Sequence, residues 1–226
     1  EDVPENSDAF FPINEFAKHD YDVVFTTSEV FRRATLKCAI ENPKTMFFNC
    51  SGSKPYVHMS NYFGRTYEAR FLTGIIAGAM TQSNIVGYTA TEPNPEVLSS
   101  INAFTIGMKM VNPNARLLVM WTGEWNNPKV TTDLSEVMID MGADVISNKT
   151  LLVPRDVTSD FGVYAMLCSI DPITKKPKQY LASPIWKWGK FYEKIISSIL
   201  NGTYQRMVAS AIDQQKLIHF WWGIEA

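Results

Sequence analysis

The side chains best placed to handle a ligand are polar groups set just after short apolar runs. Ser28 follows the run 21–25, Asn49 and Ser51 follow 46–48, Asn148 follows Val145 and Ile146, and Ser169 and Asp171 follow 163–167. Amides and hydroxyls both donate and accept hydrogen bonds, and a carboxylate at Asp171 can accept from two hydroxyls at once. Two tryptophans complete the set. Trp125 lies among Gly123, Glu124, Asn126 and Asn127, and Trp186 precedes a helical pattern. Aromatic faces with a few orienting polar groups are the ingredients of a small-molecule binding site. Each also has a plainer reading: Asp171-Pro172 as a turn, the tryptophans as core, and Ser28-Glu29 as a helix cap with a favourable N-terminal charge rather than nucleophile and base. Arg65, near Asn61, Tyr62 and Gly64, suits an anion or a structural salt link.

Catalytic signatures are missing. The sequence holds no nucleophile elbow, phosphate loop, dinucleotide fingerprint or H-E-x-x-H motif. His19, His58 and His219 are far apart and stand at no metal-ligand spacing. The expectation is therefore no catalysis, no metal and no cofactor. A net charge of −2 without a basic stripe argues against nucleic acid as a partner. Hydrophobic residues at 46% and charged residues at 19% describe a globular chain with a core. Cys38, Cys50 and Cys168 are odd in number and widely spaced, which suits buried free thiols better than a disulfide framework.

The elements that must position these groups alternate strand and helix. Apolar runs at 21–25, 46–48, 85–90, 117–121, 145–146, 163–167 and 217–222 predict strands, and continuous apolar runs suit parallel strands covered on both faces. Between them, helical spacing predicts helices over 29–41, 67–80, from Asn94-Pro95 to Asn112-Pro113, 128–141 and 188–200. In the fourth of these, Val130, Leu134, Val137, Met138 and Met141 are expected on the buried face. Gly74 and Gly78 predict a helix packed closely against a neighbour. No apolar run approaches the roughly 20 residues of a membrane span. Repeated strand–helix units predict an α/β fold with parallel sheets flanked by helices, in which ligands bind beyond the carboxyl ends of the strands.

The stretch Asn61–Met80, NYFGRTYEARFLTGIIAGAM, resembles the central signature of the basic membrane protein family, substrate-binding lipoproteins of ABC transport systems. The likeness continues through 84–115, MGADVI (141–146), GVYA (162–165), 181–204 and WWG (221–223). It implies a two-lobed, type I periplasmic-binding fold closing over a small polar ligand such as a purine nucleoside, with ABC membrane subunits as partners. It also implies a lipoprotein anchored outside the cytoplasm. One lobe is expected from 1–56 with 173–226, lacking the family's first strand and helix, and the other from 57–172. Trp125 would stack on the ligand, Asn148 and Asp171 would hydrogen-bond it, and Trp186 would approach from the opposite lobe. Some departures are visible: Ser169 and Asp171 stand where members often carry two aspartates, and Trp186 lies near a position where nucleoside-binding members tend to have lysine. A cytoplasmic ligand-sensing module of the same fold is the alternative.

Overall fold

The computed structural model describes residues 3, 7–52, 54–125, 127–148, 157–166, 180–204 and 222–225. The chain divides into two compact units, Glu1–Gly64 with Trp188–Phe220 and Arg65–Lys187 with Trp221–Ala226.

In the first unit, β1 (Val23–Thr26), β2 (Met46–Cys50) and β3 (Met59–Tyr62) form a parallel sheet in that order. Side chains alternate across it, as the two-residue period of a strand requires. Val24, Phe47 and Met59 meet α1 (Phe10–Lys18) and α2 (Arg32–Glu41), burying Ile13, Cys38 and Ala39 with them. Phe48, Cys50 and Tyr62 meet α7 (Trp188–Leu200) through Phe191 and Ile195. Both faces are thus covered, as apolar parallel strands demand.

In the second unit the sheet order is β5-β4-β6-β7-β8-β9. These strands are β4 (Ile85–Ala90), β5 (Arg116–Trp121), β6 (Val145–Ser147), β7 (Tyr164–Met166), β8 (Tyr180–Trp186) and β9 (Trp222–Glu225). Pairing is parallel except for β9, which runs antiparallel to β8. Helices α3 (Thr66–Met80) and α4 (Pro95–Val111) supply Ala77, Val97, Phe104 and Met108 to one core, against Val86, Tyr88 and Ala90. Helix α5 (Pro128–Asp140) packs Met138 against Ile146 on the other face. The short α6 (Val157–Phe161) precedes β7.

Local chemistry explains these boundaries. Asn94 caps α4 by accepting from Val97 N at 2.9 Å, with Pro95 at the first helical position, where its missing N–H costs nothing. Gly142, at φ +95°, ends α5 in a conformation side chains disfavour. A β-carbon on Gly74 would overlap the Phe104 carbonyl, and one on Gly107 the Phe71 carbonyl, so α3 and α4 touch backbone to backbone. The expected close glycine packing is therefore present. No helix among the described residues is long and apolar enough to cross a membrane.

Other expectations need correction. On α5 the buried residues are Thr131, Ser135 and Met138, while Val137 and Met141 are exposed. The buried hydroxyls are supplied with partners: Ser135 Oγ donates to the Thr131 carbonyl at 2.7 Å and also lies within reach of Asn148. The division at 56 falls before β3, which pairs in register with β2 of the first unit. Likewise β8 pairs with β7, placing Trp186 in the same unit as Trp125 rather than in an opposite one.

Candidate functional site

A row of polar side chains crosses the carboxyl edge of the first sheet. Thr26 and Asn49 are register partners, as are Asn49 and Asn61, so all three share the face of Val24, Phe47 and Met59. Asn49 is fully buried, and its Nδ2 donates to Thr26 Oγ1 and to the Ser28 carbonyl, both at 2.9 Å. Thr35 Oγ1 gives its proton to the Phe31 carbonyl at 2.8 Å, so across the 3.0 Å contact Thr35 accepts, and Thr26 shares its proton between Thr35 and the Phe48 carbonyl at 3.4 Å. The chain of donors therefore runs from Asn49 through Thr26 and Thr35 to the start of α2. It also fixes the Asn49 amide: a carbonyl can only accept, so nitrogen faces Ser28 and oxygen faces the turn after β2.

That turn carries Ser51 at φ +62°, a left-handed conformation costly for a side-chain-bearing residue. Ser51 N donates to the Tyr62 carbonyl at 2.9 Å, holding the turn against β3. Ser28 serves as a cap, its Oγ accepting from Val30 N at 3.4 Å. On the opposite face Tyr62 stacks on Phe191 at 4.8 Å, donates to the Thr26 carbonyl at 3.2 Å and lies 3.2 Å from the Tyr192 hydroxyl. Burial pushes both phenols above their usual range, and the neighbouring hydroxyl adds to this at Tyr62. Both stay neutral and act as fixed hydrogen-bonding groups.

In the second unit the chain turns back over β4: α4 leads outward to β5, and α5 returns to β6 on the other side. Such a switch point opens a crevice at the strands' carboxyl ends. Asn148, immediately after β6, is 2% exposed. Its Oδ1 accepts from Thr89 Oγ1 at 3.0 Å and lies 3.3 Å from Ser135 Oγ, whose proton goes to the Thr131 carbonyl. The oxygen is thus engaged by the fold through Thr89.

The loop after β5 is tied to the end of β4 by Thr122 N to the Ala90 carbonyl at 2.7 Å and Gly123 N to the Thr91 carbonyl at 3.0 Å. Gly123 takes φ +73°, and Trp125 follows with 54% of its surface exposed. A large aromatic half exposed on such a loop can stack on a flat ligand. Trp186 is half-buried at the end of β8, in register with Trp222. Ser169 and Asp171 lie outside the described residues. The structure therefore brings Ser28, Asn49 and Ser51 to one sheet edge, and Asn148 and Trp125 to carboxyl ends of the other sheet.

Sequence reading passed over three participants. Asn61 stands beside Asn49 only through the register of β3. Thr89 anchors Asn148. Arg70, 1% exposed on α3, lies over the Tyr88 ring at 5.5 Å and reaches Ser147 Oγ at 3.5 Å. The signal for Arg70 was available, since it shares a helix face with Ala69, Thr73, Gly74 and Ala77. Arg65 instead makes a 3.2 Å ion pair with Glu68, the structural link. Cys38 and Cys50 are buried free thiols. Among the described residues no cluster of side chains could hold a metal ion.

Residues 3–214 match the family model for ABC transporter substrate-binding proteins of the PnrA-like type. A purine-binding protein of Brucella abortus is 32% identical over the whole chain, which spans 61% of that relative. A Haloferax volcanii protein whose name refers to glucose binding by an ABC transporter is 34% identical over 99% of this chain and 54% of its own length. Among solved structures, a transcriptional activator of the comK gene from Bacillus halodurans superposes with a TM-score of 0.74 at 16% identity, covering 95% of this chain and 81% of its own. An ABC transporter solute-binding protein from Conexibacter woesei gives 0.70 at 17% identity, over 89% and 69%. These two share the fold. The family match over most of the chain, with parallel sheets whose carboxyl ends carry the polar groups, makes this chain a member of the PnrA-like family of ABC transporter substrate-binding proteins.

Proposed function

We propose that this chain captures a small polar molecule, a purine nucleoside or a related compound, for uptake by an ABC transporter, and releases it chemically unchanged. The observation that carries this reading is the 32% identity over the full chain to a protein named for purine binding. In the second unit Trp125 supplies an aromatic face and Asn148 Nδ2 a donor; in the first, Thr26, Asn49 and Asn61 offer polar groups at their own sheet edge. Asp171 and Ser169 add hydroxyl-binding groups, and Trp186 a second aromatic surface. The partners are the membrane subunits of the transporter, and the protein works outside the cytoplasm, held at the membrane by a lipid anchor.

Calorimetry with adenosine, guanosine, inosine and glucose tests this reading. One of the nucleosides should bind, raise the melting temperature by mass action and be recovered intact. Trp125→Ala should weaken that binding by at least about tenfold, the scale of an aromatic contact of about 1–1.5 kcal/mol. Absence of any heat or thermal shift with all four compounds would overturn it, as would recovery of a converted product.

A further inference from the structure

Asn49 and Asn61 end in buried carbonyl oxygens that accept no hydrogen bond from the described residues. Both face one place. A β-carbon built on Gly52 would stand within 2.5 Å of each oxygen, so the two lie no more than twice that distance apart. The Asn49 amide cannot be turned to relieve this, because its nitrogen is committed to the Ser28 carbonyl and Thr26. Leaving a buried acceptor unpaired costs about 1–3 kcal/mol, and native structures rarely hold two together without a reason. The turn covering them is itself held at unfavourable backbone geometry by Ser51.

Resting on the function proposed above, we propose that Asn49 Oδ1 and Asn61 Oδ1, roofed by Gly52, form a receptor for an amino group of the ligand. The chemistry selects this class. Two converging acceptors repel a carbonyl or carboxylate. A hydroxyl has one proton and satisfies one oxygen. An amino or ammonium group carries at least two, and their spread matches two acceptors on neighbouring strands. Gly52 places only hydrogen over the pair, and the amino group has to displace that contact to reach both oxygens. Sites built to hydrogen-bond a ligand N–H reject the analogue lacking it far more strongly than apolar pockets reject a missing methylene.

The test compares ligands differing only in that group: adenosine with purine riboside, and glucosamine with glucose. In the wild-type chain the amino member of a pair should bind at least about tenfold more tightly. Asn61→Leu should bring that ratio close to one. Gly52→Ala, which sets a methyl against both oxygens, should do the same. Circular dichroism checks that each variant is folded. A second readout needs no nucleoside or sugar: methylammonium chloride, against sodium chloride at equal ionic strength, should raise the melting temperature of the wild type and not of Asn61→Leu. If methylammonium acts through Asn61 while no purine or sugar binds, the receptor stands and the uptake reading falls. If purines or sugars bind with no amino preference and methylammonium has no Asn61-dependent effect, the receptor falls alone. A crystal structure with Asn61 Nδ2 donating to Asn49 Oδ1 would also overturn it.

Discussion

The Thr89 hydroxyl donates to Asn148 Oδ1 at 3.0 Å, joining two neighbouring parallel strands where their carboxyl ends meet. The Asn148 oxygen is thereby engaged by the fold, and it also lies 3.3 Å from Ser135 Oγ. Thr89→Val keeps the side-chain shape and removes the donor. It should destabilise the protein by about 1 kcal/mol, the usual net value of a buried neutral hydrogen bond. It should also weaken ligand binding, because Asn148 loses its orientation. Chemical denaturation and calorimetry on the same variant separate the two effects; unchanged affinity would remove Asn148 from the site.

Gly74 lies against the Phe104 carbonyl, and Gly107 lies against that of Phe71. A methyl at either position must push the helix axes apart and open the core holding Ala77, Phe104 and Met108. Gly74→Ala should therefore cost more than about 2 kcal/mol, at the upper end of overpacking, despite the better helix propensity of alanine. A urea melt with an unaltered midpoint would show that α3 and α4 can separate cheaply.

Asp144 ties the end of α3 to the start of β6. Its carboxylate accepts from Thr81 Oγ1 at 2.6 Å and from the backbone N–H groups of Gln82 and Ser83 at 2.7 and 2.9 Å. Burial alone would raise its pKa, but these hydrogen bonds to the charged form outweigh it and hold the pKa below the usual carboxylate value of 3.8. The group is thus more acidic folded than unfolded. Its stabilisation is complete above the unfolded pKa and disappears as pH falls through the folded one. Asp144→Asn should flatten the loss of stability below pH 4, measured by denaturation at a series of pH values. A variant with the wild-type acid profile would rule out Asp144 as the group responsible.

Cys38 is fully buried, and burial first, then the nearby Glu41 charge, push its thiol up to about 12. The thiolate is the reactive form, so Cys38 should resist an aromatic disulfide reagent at pH 8 in the native protein and react once unfolded. The sign for stability is opposite to that of Asp144. The contribution is intact below the unfolded pKa of about 9 and is lost progressively as pH rises toward 12. Rapid labelling of native Cys38 at neutral pH would contradict this burial.

Much of the architecture was legible because it is written in local chemistry. Asn94 followed by Pro95 marks a helix start whatever surrounds it, and Gly142 marks a stop. Continuous apolar runs such as 85–90 identify strands covered on both faces. The buried face of α5 was not legible, since Val137 and Met141 match an apolar stripe as well as Thr131, Ser135 and Met138 match the real one. What decides between them is a polar neighbour just beyond the facing strand, Asn148, which lies thirteen residues beyond Ser135. Helix α1 and strands β3 and β8 were missed for a related reason. Their short or mixed sequences become regular only when packed or paired.

By itself the sequence determined the alternation of strands and helices, the family, and the fact that polar residues follow the strands, because periodicity, capping and motif are properties of neighbouring residues. It could not place Asn61 beside Asn49, or turn the Asn148 oxygen toward Thr89. Those relationships come from strand register and side-chain orientation, which exist only once distant segments hydrogen-bond to one another. The tertiary structure therefore decided which of many polar side chains share one edge, and which of their atoms the fold itself engages.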